Sequence, residues 1–233
     1  MKALILAAGR GERMRPLTDA TPKPLLKAGG RSLIEWQIAA LARAGITDFV
    51  INTAHLGAAF PAQLGNGAGL GVRIAYSPEG EDAAAALETR GGIVRALPQL
   101  AGASDEAFVV VAGDIVTDFD YSRLAAPAAA IARGEIDAHL VLVPNPEFHP
   151  GGDMALVKGR IARAPARFTF ASLAVFAPRI FRGLPAERAK LFPWLYEFAD
   201  RGRVSGELFT GRWANVGTPQ ELVRLDAELA ELT

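Results

Sequence analysis

A short apolar run, Ala3 to Ala8, opens the chain and leads directly into a glycine-rich loop that carries several arginines. An apolar run of this length, bounded by glycine, is typical of a buried parallel strand. In open α/β sheets, ligands bind beyond the carboxyl ends of such strands. The first segment therefore predicts an α/β sheet with a binding site at the end of its first strand.

The next elements predict a βαβ unit. Ser32 and Glu35 have the spacing of a capping box before a helix that stops at Gly45, and a second strand covers 49–51. Such a unit implies a parallel sheet with helices on its faces. We predict further strands at 72–76, 108–112, 140–143 and 168–176, helices at 121–133, 191–199 and 219–232, and a mobile loop, able to hold a helical turn, at 81–86.

Composition restricts the class of protein. The 233 residues, 50% of them hydrophobic, suit a single domain over 1–233, and no internal repeat occurs. The 25 basic and 25 acidic residues balance, so we expect no nucleic-acid partner and no membrane partner. The chain has no cysteine, which excludes disulfides and thiolate chemistry, and no apolar run of about 18 residues, so we expect a cytoplasmic protein.

The loop after the first strand has the residues that phosphate binding needs. Glycines such as Gly9 and Gly11 let backbone N–H groups approach phosphate oxygens. Arg13, Arg15 and Lys23 can add charge-assisted hydrogen bonds. The third glycine of a dinucleotide-binding motif is missing, and no Walker A lysine follows.

Read as a whole, the string from Leu6 to Leu25, closed by Thr21-Pro22-Lys23-Pro24-Leu25, resembles the sugar-1-phosphate nucleotidyltransferases. The resemblance implies a three-layer, Rossmann-like nucleotidyltransferase fold with a mostly parallel central sheet and no C-terminal β-helix. It also implies two catalytic residues, Arg15 at the leaving pyrophosphate and Lys23 at the α-phosphate. The nucleotide-binding residues that it implies in this loop are Ala8, Gly9, Gly11, Glu12, Arg13 and Lys23.

The same resemblance implies a Mg²⁺ site. Asp114 follows the predicted strand 108–112 and matches the metal-binding aspartate of the family. The second metal carboxylate of the family falls in the string 213–219, where this chain has Asn215. An asparagine can still offer a carbonyl oxygen but removes one negative charge. We therefore expect Mg²⁺ to arrive with the nucleotide and to bind Asp114 and Asn215.

Base and sugar contacts are implied by later strings. Residues 87–92 resemble the base-selecting loop, with Thr89 and Gly91 as nucleotide-binding residues and Arg90 where near relatives have glycine. The strings 76–81, 140–146, 152–153, 169–170 and 204–207 resemble the family branch that joins UTP to N-acetylmuramic acid 1-phosphate in cell-wall recycling. In that branch Asn145 and Asp153 would face the sugar. Arg167 or Lys190 would meet its lactyl carboxylate.

The sequence leaves three other functions open. A guanylyltransferase for mannose 1-phosphate shares the first 25 residues, and so does a thymidylyl- or uridylyltransferase for glucose 1-phosphate. A catalytically weak nucleotide-sugar binding protein is a third reading, because Asn215 weakens the metal site. For the oligomeric state we expect a monomer or a weak dimer.

Overall fold

The computed structural model describes residues 1–80, 86–165 and 167–231. Within them a nine-stranded mixed sheet forms the centre of the molecule. In spatial order its strands are β5 (Arg73–Pro78), β4 (Asp48–Thr53), β1 (Ala3–Leu6), β6 (Phe108–Ala112), β11 (Phe168–Phe176), β8 (Ala138–Pro144), β12 (Val204–Leu208), β10 (Arg160–Ala162) and β9 (Ala155–Val157). Two small sheets accompany it, β2 (Lys27–Ala28) with β3 (Arg31–Ser32), and β7 (Ile115–Thr117) with β13 (Trp213–Asn215).

The core of the sheet is parallel, as the sequence predicts. Strands β5, β4, β1 and β6 pair in parallel, so their carboxyl ends meet at one edge. Strand β11 runs antiparallel to both β6 and β8, which makes the whole sheet mixed. The chain passes from β1 to β4 and β5 on one side and then returns to β6 on the other. This reversal is the place where open α/β sheets bind ligands.

Helices cover both faces of the sheet and give three layers, again as predicted. They are α1 (Leu33–Arg43), α2 (Ala59–Leu64), α3 (Glu88–Leu100), α4 (Ala125–Ala132), α5 (Tyr196–Ala199) and α6 (Pro219–Ala230). One buried core contains Ile38 and Phe60, and the core on the opposite face contains Ile93 and Phe181. In the described residues, no helix is long and apolar enough to cross a membrane, and no β-helix is present.

Most helix boundaries follow the local signals. The Ser32 N–H donates to the Glu35 carboxylate at 2.8 Å, as the capping box predicts, and Thr218 caps α6 through its side chain. The predicted helix 121–133 begins as a 3-10 turn and becomes α-helical at Ala125. The predicted loop at 81–86 falls almost wholly outside the described residues.

Two regions differ from the predictions. The predicted helix 191–199 is wrong for its first half, because only α5 is helical. Pro193 disfavours the helical conformation of the residue before it, so a helix does not run through this position. Helix α3 includes residues 88–92, which we expected to form a base-selecting loop. Its glycines Gly91 and Gly92 are packed against neighbouring groups rather than forming a turn.

Helix α6 fastens the first loop to the small β7–β13 sheet. A third apolar cluster joins Met14 of the loop to Val216 after β13 and to Leu225 and Leu229 of α6. The Gly29 N–H also donates to the Asp226 carboxylate at 2.7 Å. The glycine-rich loop and the end of β13 are therefore held in one arrangement.

A buried ion cluster lies at the amino end of β8, at the edge of the sheet opposite the carboxyl ends of the parallel strands. Asp137 accepts hydrogen bonds from Arg203 at 2.7 and 2.9 Å and from Arg179 at 2.8 Å. Burial alone raises the pKa of the Asp137 carboxyl. The hydrogen bonds from Arg203 and Arg179 outweigh burial and hold that pKa below its usual value.

Asp137→Asn is expected to destabilise the fold by about 3 kcal/mol at neutral pH, because it leaves two partly buried guanidinium groups without their counter-charge. The pKa is lower in the folded than in the unfolded chain, so this stabilisation exists above the unfolded pKa and is lost as pH falls through the folded one. Urea titrations across pH 3 to 7 should show the difference from wild type shrinking below about pH 4.

A surface ion pair provides the matched control. Arg163 and Asp200 are both about half exposed, with Arg163 Nη2 2.6 Å from Asp200 Oδ2, so Asp200→Asn should cost much less stability than Asp137→Asn. Equal costs at Asp137 and Asp200 would contradict the buried-cluster explanation.

Candidate active site

A cleft of about 750 Å³ opens at the carboxyl ends of the parallel strands. Its volume is in the range of sites that hold a nucleotide-sized ligand. Segments from both halves of the sheet line it. The described lining residues include Ala8, Gly9, Gly11, Glu12, Arg13, Lys23, Asn52, Glu79, Glu88, Thr89, Asp114, Phe170, Ser172, Arg188, Leu191 and Asn215.

The glycine-rich loop curls back on itself at Gly11. Gly11 has φ +63°, and a Cβ there would lie 2.9 Å from the Thr18 methyl group and 3.1 Å from Lys23 Cβ. The Thr18 hydroxyl donates to the Gly11 carbonyl at 2.9 Å and fixes the curl. A side chain at Gly11 would push Lys23 away, so this glycine brings the loop and Lys23 together at the cleft.

Lys23 and Asp114 form the central ion pair of the cleft. Lys23 Nζ lies 2.5 Å from Asp114 Oδ2, and the two side chains are 11% and 25% exposed. Asn215 lies beside this pair, because it is opposite Ile115 in the β7–β13 ladder and the Val216 N–H donates to the Asp114 carbonyl at 3.2 Å. The structure therefore brings Lys23, Asp114 and Asn215 together from three distant parts of the chain.

Asp114 and Asn215 offer some of the oxygen ligands that a hard cation such as Mg²⁺ prefers. A carboxylate and an amide oxygen, supplemented by phosphate oxygens, are donors that Mg²⁺ accepts. In the described part of the chain, no three His, Cys, Asp or Glu side chains are grouped to hold a metal ion. Protein groups alone thus supply few ligands, and the ammonium of Lys23 occupies one Asp114 oxygen.

The sequence did not predict a buried hydrogen-bonded bridge on the β4–β5 side of the cleft. Asn52 Oδ1 accepts from the Ala7 N–H at 2.7 Å, its amide donates to Glu79 at 2.6 Å, and Glu79 accepts from the Leu87 N–H at 2.7 Å. Burial raises the pKa of the Glu79 carboxyl against these hydrogen bonds, which lower it. The bridge links the start of the phosphate loop to the start of α3.

The positions of Asn52 and Glu79 in the sequence give a hint of this bridge. Asn52 and Glu79 each follow a predicted apolar strand, the same position that singles out Asp114. A Cβ on Gly92 would lie 2.5 Å from Glu79 Oε1, so the glycine in α3 makes room for the buried carboxylate.

Four of the predicted site residues do not line the described cleft. Arg15 is 65% exposed and paired with Asp19 at 3.1 Å. Gly91 is buried in α3, where its Cα packs so closely on the Glu187 backbone that no side chain would fit. Asn145 and Asp153 are the other two.

Asn145 and Asp153 are engaged in local contacts of the 145–153 loop. Asn145 donates to the Pro150 carbonyl at 3.0 Å and accepts from the Thr169 hydroxyl at 3.0 Å. Asp153 contacts His149 at 3.0 Å and accepts from the Phe170 N–H at 2.8 Å. Asp153 is thus linked to the cleft through the backbone of Phe170, which lines it.

Strand β11 has an irregularity beside the cleft that the sequence did not predict. The register with β8 shifts between Phe170 and Ala174, and Ser172 has a positive φ of +54°. The indole of Trp213 donates to the Ala171 carbonyl at 3.1 Å, while Asp153 holds the Phe170 N–H. Strained residues that neighbours hold in place concentrate at functional sites, so we count Ser172 as a candidate site residue.

The cleft lies at the switch point of a three-layer α/β sheet, with a glycine-rich loop, an ammonium group and a carboxylate facing it. These features are typical of an α/β protein that binds a phosphate-bearing ligand such as a nucleotide. The profile of the nucleotidyl transferase family matches residues 2–150 of the chain. The chain belongs to the nucleotidyl transferase family, whose members of this type generally use a divalent metal ion.

Two relatives of known name match nearly the whole chain. The N-acetylmuramate alpha-1-phosphate uridylyltransferase of Neisseria meningitidis serogroup B is 47% identical over 223 residues, which cover 94% of each chain. The protein of the same name from Caulobacter vibrioides is 33% identical, over 98% of this chain and 97% of the relative.

A solved structure confirms the predicted fold class. The crystal structure of a Bacillus anthracis protein described as a glucose-1-phosphate thymidylyltransferase superposes with a TM-score of 0.82. The two chains are 21% identical, and the match covers 100% of this chain and 96% of the other. At this identity the likeness concerns the fold.

Proposed function

We propose that this protein joins UTP to N-acetylmuramic acid 1-phosphate, giving UDP-N-acetylmuramic acid and pyrophosphate for cell-wall recycling. The observation that carries the reaction type is the curled phosphate loop that shares one cleft with Lys23 and Asp114. The choice of substrates is supported by the two uridylyltransferase relatives, which match this chain over nearly its full length.

In the proposed reaction, a phosphate oxygen of the sugar 1-phosphate attacks the α-phosphorus of UTP. The bond between that phosphorus and the bridging oxygen to the β-phosphate breaks, and pyrophosphate leaves. Such transfers depend on positioning and charge neutralisation rather than on a protein nucleophile.

Each group of predicted residues has a part in this proposal. The backbone around Ala8, Gly9 and Gly11, with Glu12 and Arg13, wraps the triphosphate. Lys23 neutralises the α-phosphate and the attacking phosphate. Arg15 acts on the leaving pyrophosphate, which requires it to move from Asp19, and Thr89 meets the nucleoside. Gly91 acts indirectly, by setting the packing of α3.

The proposed metal ion is Mg²⁺, held by Asp114 and Asn215 together with phosphate oxygens. When bound, it supplies positive charge that neutralises the phosphates. We further propose that residues 1–233 form one catalytic domain, that it acts in the cytoplasm as a monomer or weak dimer, and that Asn145 and Asp153 shape the sugar side of the cleft through the loop and Phe170.

A matrix of substrates tests the proposal. Pyrophosphate release is measured for UTP, dTTP, GTP, ATP and CTP, each with the 1-phosphates of N-acetylmuramate, N-acetylglucosamine, glucose and mannose. UTP with N-acetylmuramate 1-phosphate should give the highest kcat/KM. A mannose-1-phosphate guanylyltransferase of Mycobacterium tuberculosis is 28% identical over 97% of this chain. Fastest turnover of GTP with mannose 1-phosphate would therefore replace the proposal with that activity.

Asn215→Asp is expected to lower the Mg²⁺ concentration for half-maximal activity by about 10-fold, because it adds a negative charge beside Asp114. Titrations of activity against Mg²⁺, and of Mn²⁺ binding to the free enzyme by electron paramagnetic resonance, provide the measurements. Asn66→Asp, an exposed position outside the cleft, is the matched control. An unchanged Mg²⁺ dependence in Asn215→Asp would remove Asn215 from the metal site.

A further inference from the structure

The sugar in the proposed function carries a carboxylate, and this inference rests on that function. N-acetylmuramic acid differs from N-acetylglucosamine by an ether-linked lactyl group, which is negatively charged at neutral pH. An enzyme that favours the acidic sugar needs a cation on the sugar side of its cleft. The sequence suggested Arg167 or Lys190 for this part, but neither lines the cleft in the described residues.

The cations that do line the cleft divide by position. Arg10, Arg13 and Lys23 belong to the phosphate loop, where they face the triphosphate in the proposed reaction. Among the described lining residues, Arg188 is the cation that comes from another segment. Its segment reaches the sugar side of the cleft: Leu191 also lines the cleft, and the ring of Phe192 packs on the ring of Phe170, the lining residue assigned above to the sugar side, with 5.9 Å between centroids.

The segment that carries Arg188 is fixed against the start of α3. The Ala189 N–H donates to the Leu87 carbonyl at 2.8 Å, and the Ala189 carbonyl accepts from the Arg90 N–H at 3.0 Å. The approach is so close that a Cβ on Gly91 would lie 2.1 Å from the Glu187 carbonyl oxygen. Gly91 thus permits the packing that places Arg188 at the cleft.

Arg188 is available to a ligand. Its side chain is 68% exposed, and the nearest carboxylate oxygen paired with it, Glu88 Oε1, lies 3.5 Å away, beyond ordinary hydrogen-bond length. Arg182 in the same segment differs, because it donates to the Ser104 carbonyl at 2.6 Å and pairs with Asp105 at 2.9 Å. A guanidinium group has five donors in a planar fork that fits a carboxylate with two parallel bonds.

We propose that Arg188 is the specificity residue for the acidic sugar and binds its lactyl carboxylate with a two-pronged ion pair. Glu88 holds the guanidinium loosely in the free enzyme and releases it to the substrate. Gly91 is the positioning residue that sets the segment against α3. The cleft therefore selects a sugar 1-phosphate that bears a second anionic group.

The test compares two substrates that differ in charge and little in size. These are N-acetylmuramic acid 1-phosphate and its lactyl carboxamide, each with saturating UTP. We expect the wild-type enzyme to prefer the acid, and Arg188→Gln to lower the ratio of kcat/KM for acid over amide by about 10- to 100-fold. Gly91→Ala should lower the same ratio, with folding checked by thermal melting. Lys190→Gln, two residues away and outside the cleft, should leave the ratio unchanged.

The outcomes separate this inference from the proposed function. A wild-type enzyme that does not convert N-acetylmuramate 1-phosphate overturns the proposed function and this inference with it. Turnover by the wild type, with an unchanged ratio in Arg188→Gln or equal losses for acid and amide, overturns the inference alone. Loss of the preference in Lys190→Gln instead would assign the carboxylate to Lys190.

Discussion

Lys23→Ala is expected to lower kcat for nucleotidyl transfer by about 1,000-fold while the chain stays folded. The Lys23 side chain is 11% exposed at the cleft, and its ammonium nitrogen lies 2.5 Å from Asp114 Oδ2. A desolvated positive charge at this position can neutralise the α-phosphate and the attacking phosphate, and no other cation of the loop lies against Asp114 in the described residues. Its removal thus takes away stabilisation that exists mainly in the transition state.

Single-turnover pyrophosphate release measures the chemical step, and thermal melting verifies the fold. Lys27→Ala is the matched control, because Lys27 is an exposed lysine of β2, shortly after the loop, and does not line the cleft. The variant has a second expected effect. Without the ammonium, Asp114 is unpaired, so free-enzyme Mn²⁺ binding should become tighter. Near-normal kcat in Lys23→Ala would contradict a catalytic role for this lysine.

The sequence predicts features whose signals are local. The strand at the N-terminus, the capping box at Ser32 and Glu35, and the cap at Thr218 are each written in a few neighbouring residues, and the structure contains them. The closeness of Asp114 and Asn215 is a long-range feature. It could be predicted because both residues fall within strings that resemble one family.

Features that depend on packing between distant segments were not predictable in the same way. The Asn52–Glu79 bridge joins three segments, and only the position of each residue after an apolar strand hints at it. The positive φ of Ser172 arises from a register shift in β11, and no local residue type demands it. Arg188 reaches the cleft because its segment packs on a glycine about a hundred residues earlier.

The predicted helix 191–199 shows the opposite error, because only its second half is helical. The predicted helix ran through Pro193, although a proline restrains the residue before it. Resemblance to the family implied a base-selecting loop at 87–92, whereas residues 88–92 belong to α3. Gly91 and Gly92 make room there for the Glu187 backbone and the Glu79 carboxylate.

Asp114→Ala breaks the same ion pair from its other end and is expected to reduce kcat by about 1,000-fold or more at any practical Mg²⁺ concentration. Asp114 is the one carboxylate beside Asn215 among the described cleft residues near β7 and β13. Removing it leaves an amide oxygen as the remaining protein ligand, so Mn²⁺ binding by the free enzyme should fall below detection. Asp118→Ala, an exposed aspartate outside the cleft, serves as the control.

The two variants of the ion pair distinguish a metal ligand from a structural partner. Lys23→Ala and Asp114→Ala should both lose turnover, but the first should strengthen divalent-ion binding by the free enzyme and the second should abolish it. If Asp114 only anchored Lys23, both variants would leave Mn²⁺ binding unchanged, and Asp114→Asn would restore most of the activity by keeping an oxygen near the ammonium. Opposite changes in Mn²⁺ binding, measured by electron paramagnetic resonance, would instead mean that Lys23 occupies in the free enzyme the Asp114 oxygen that the metal ion needs.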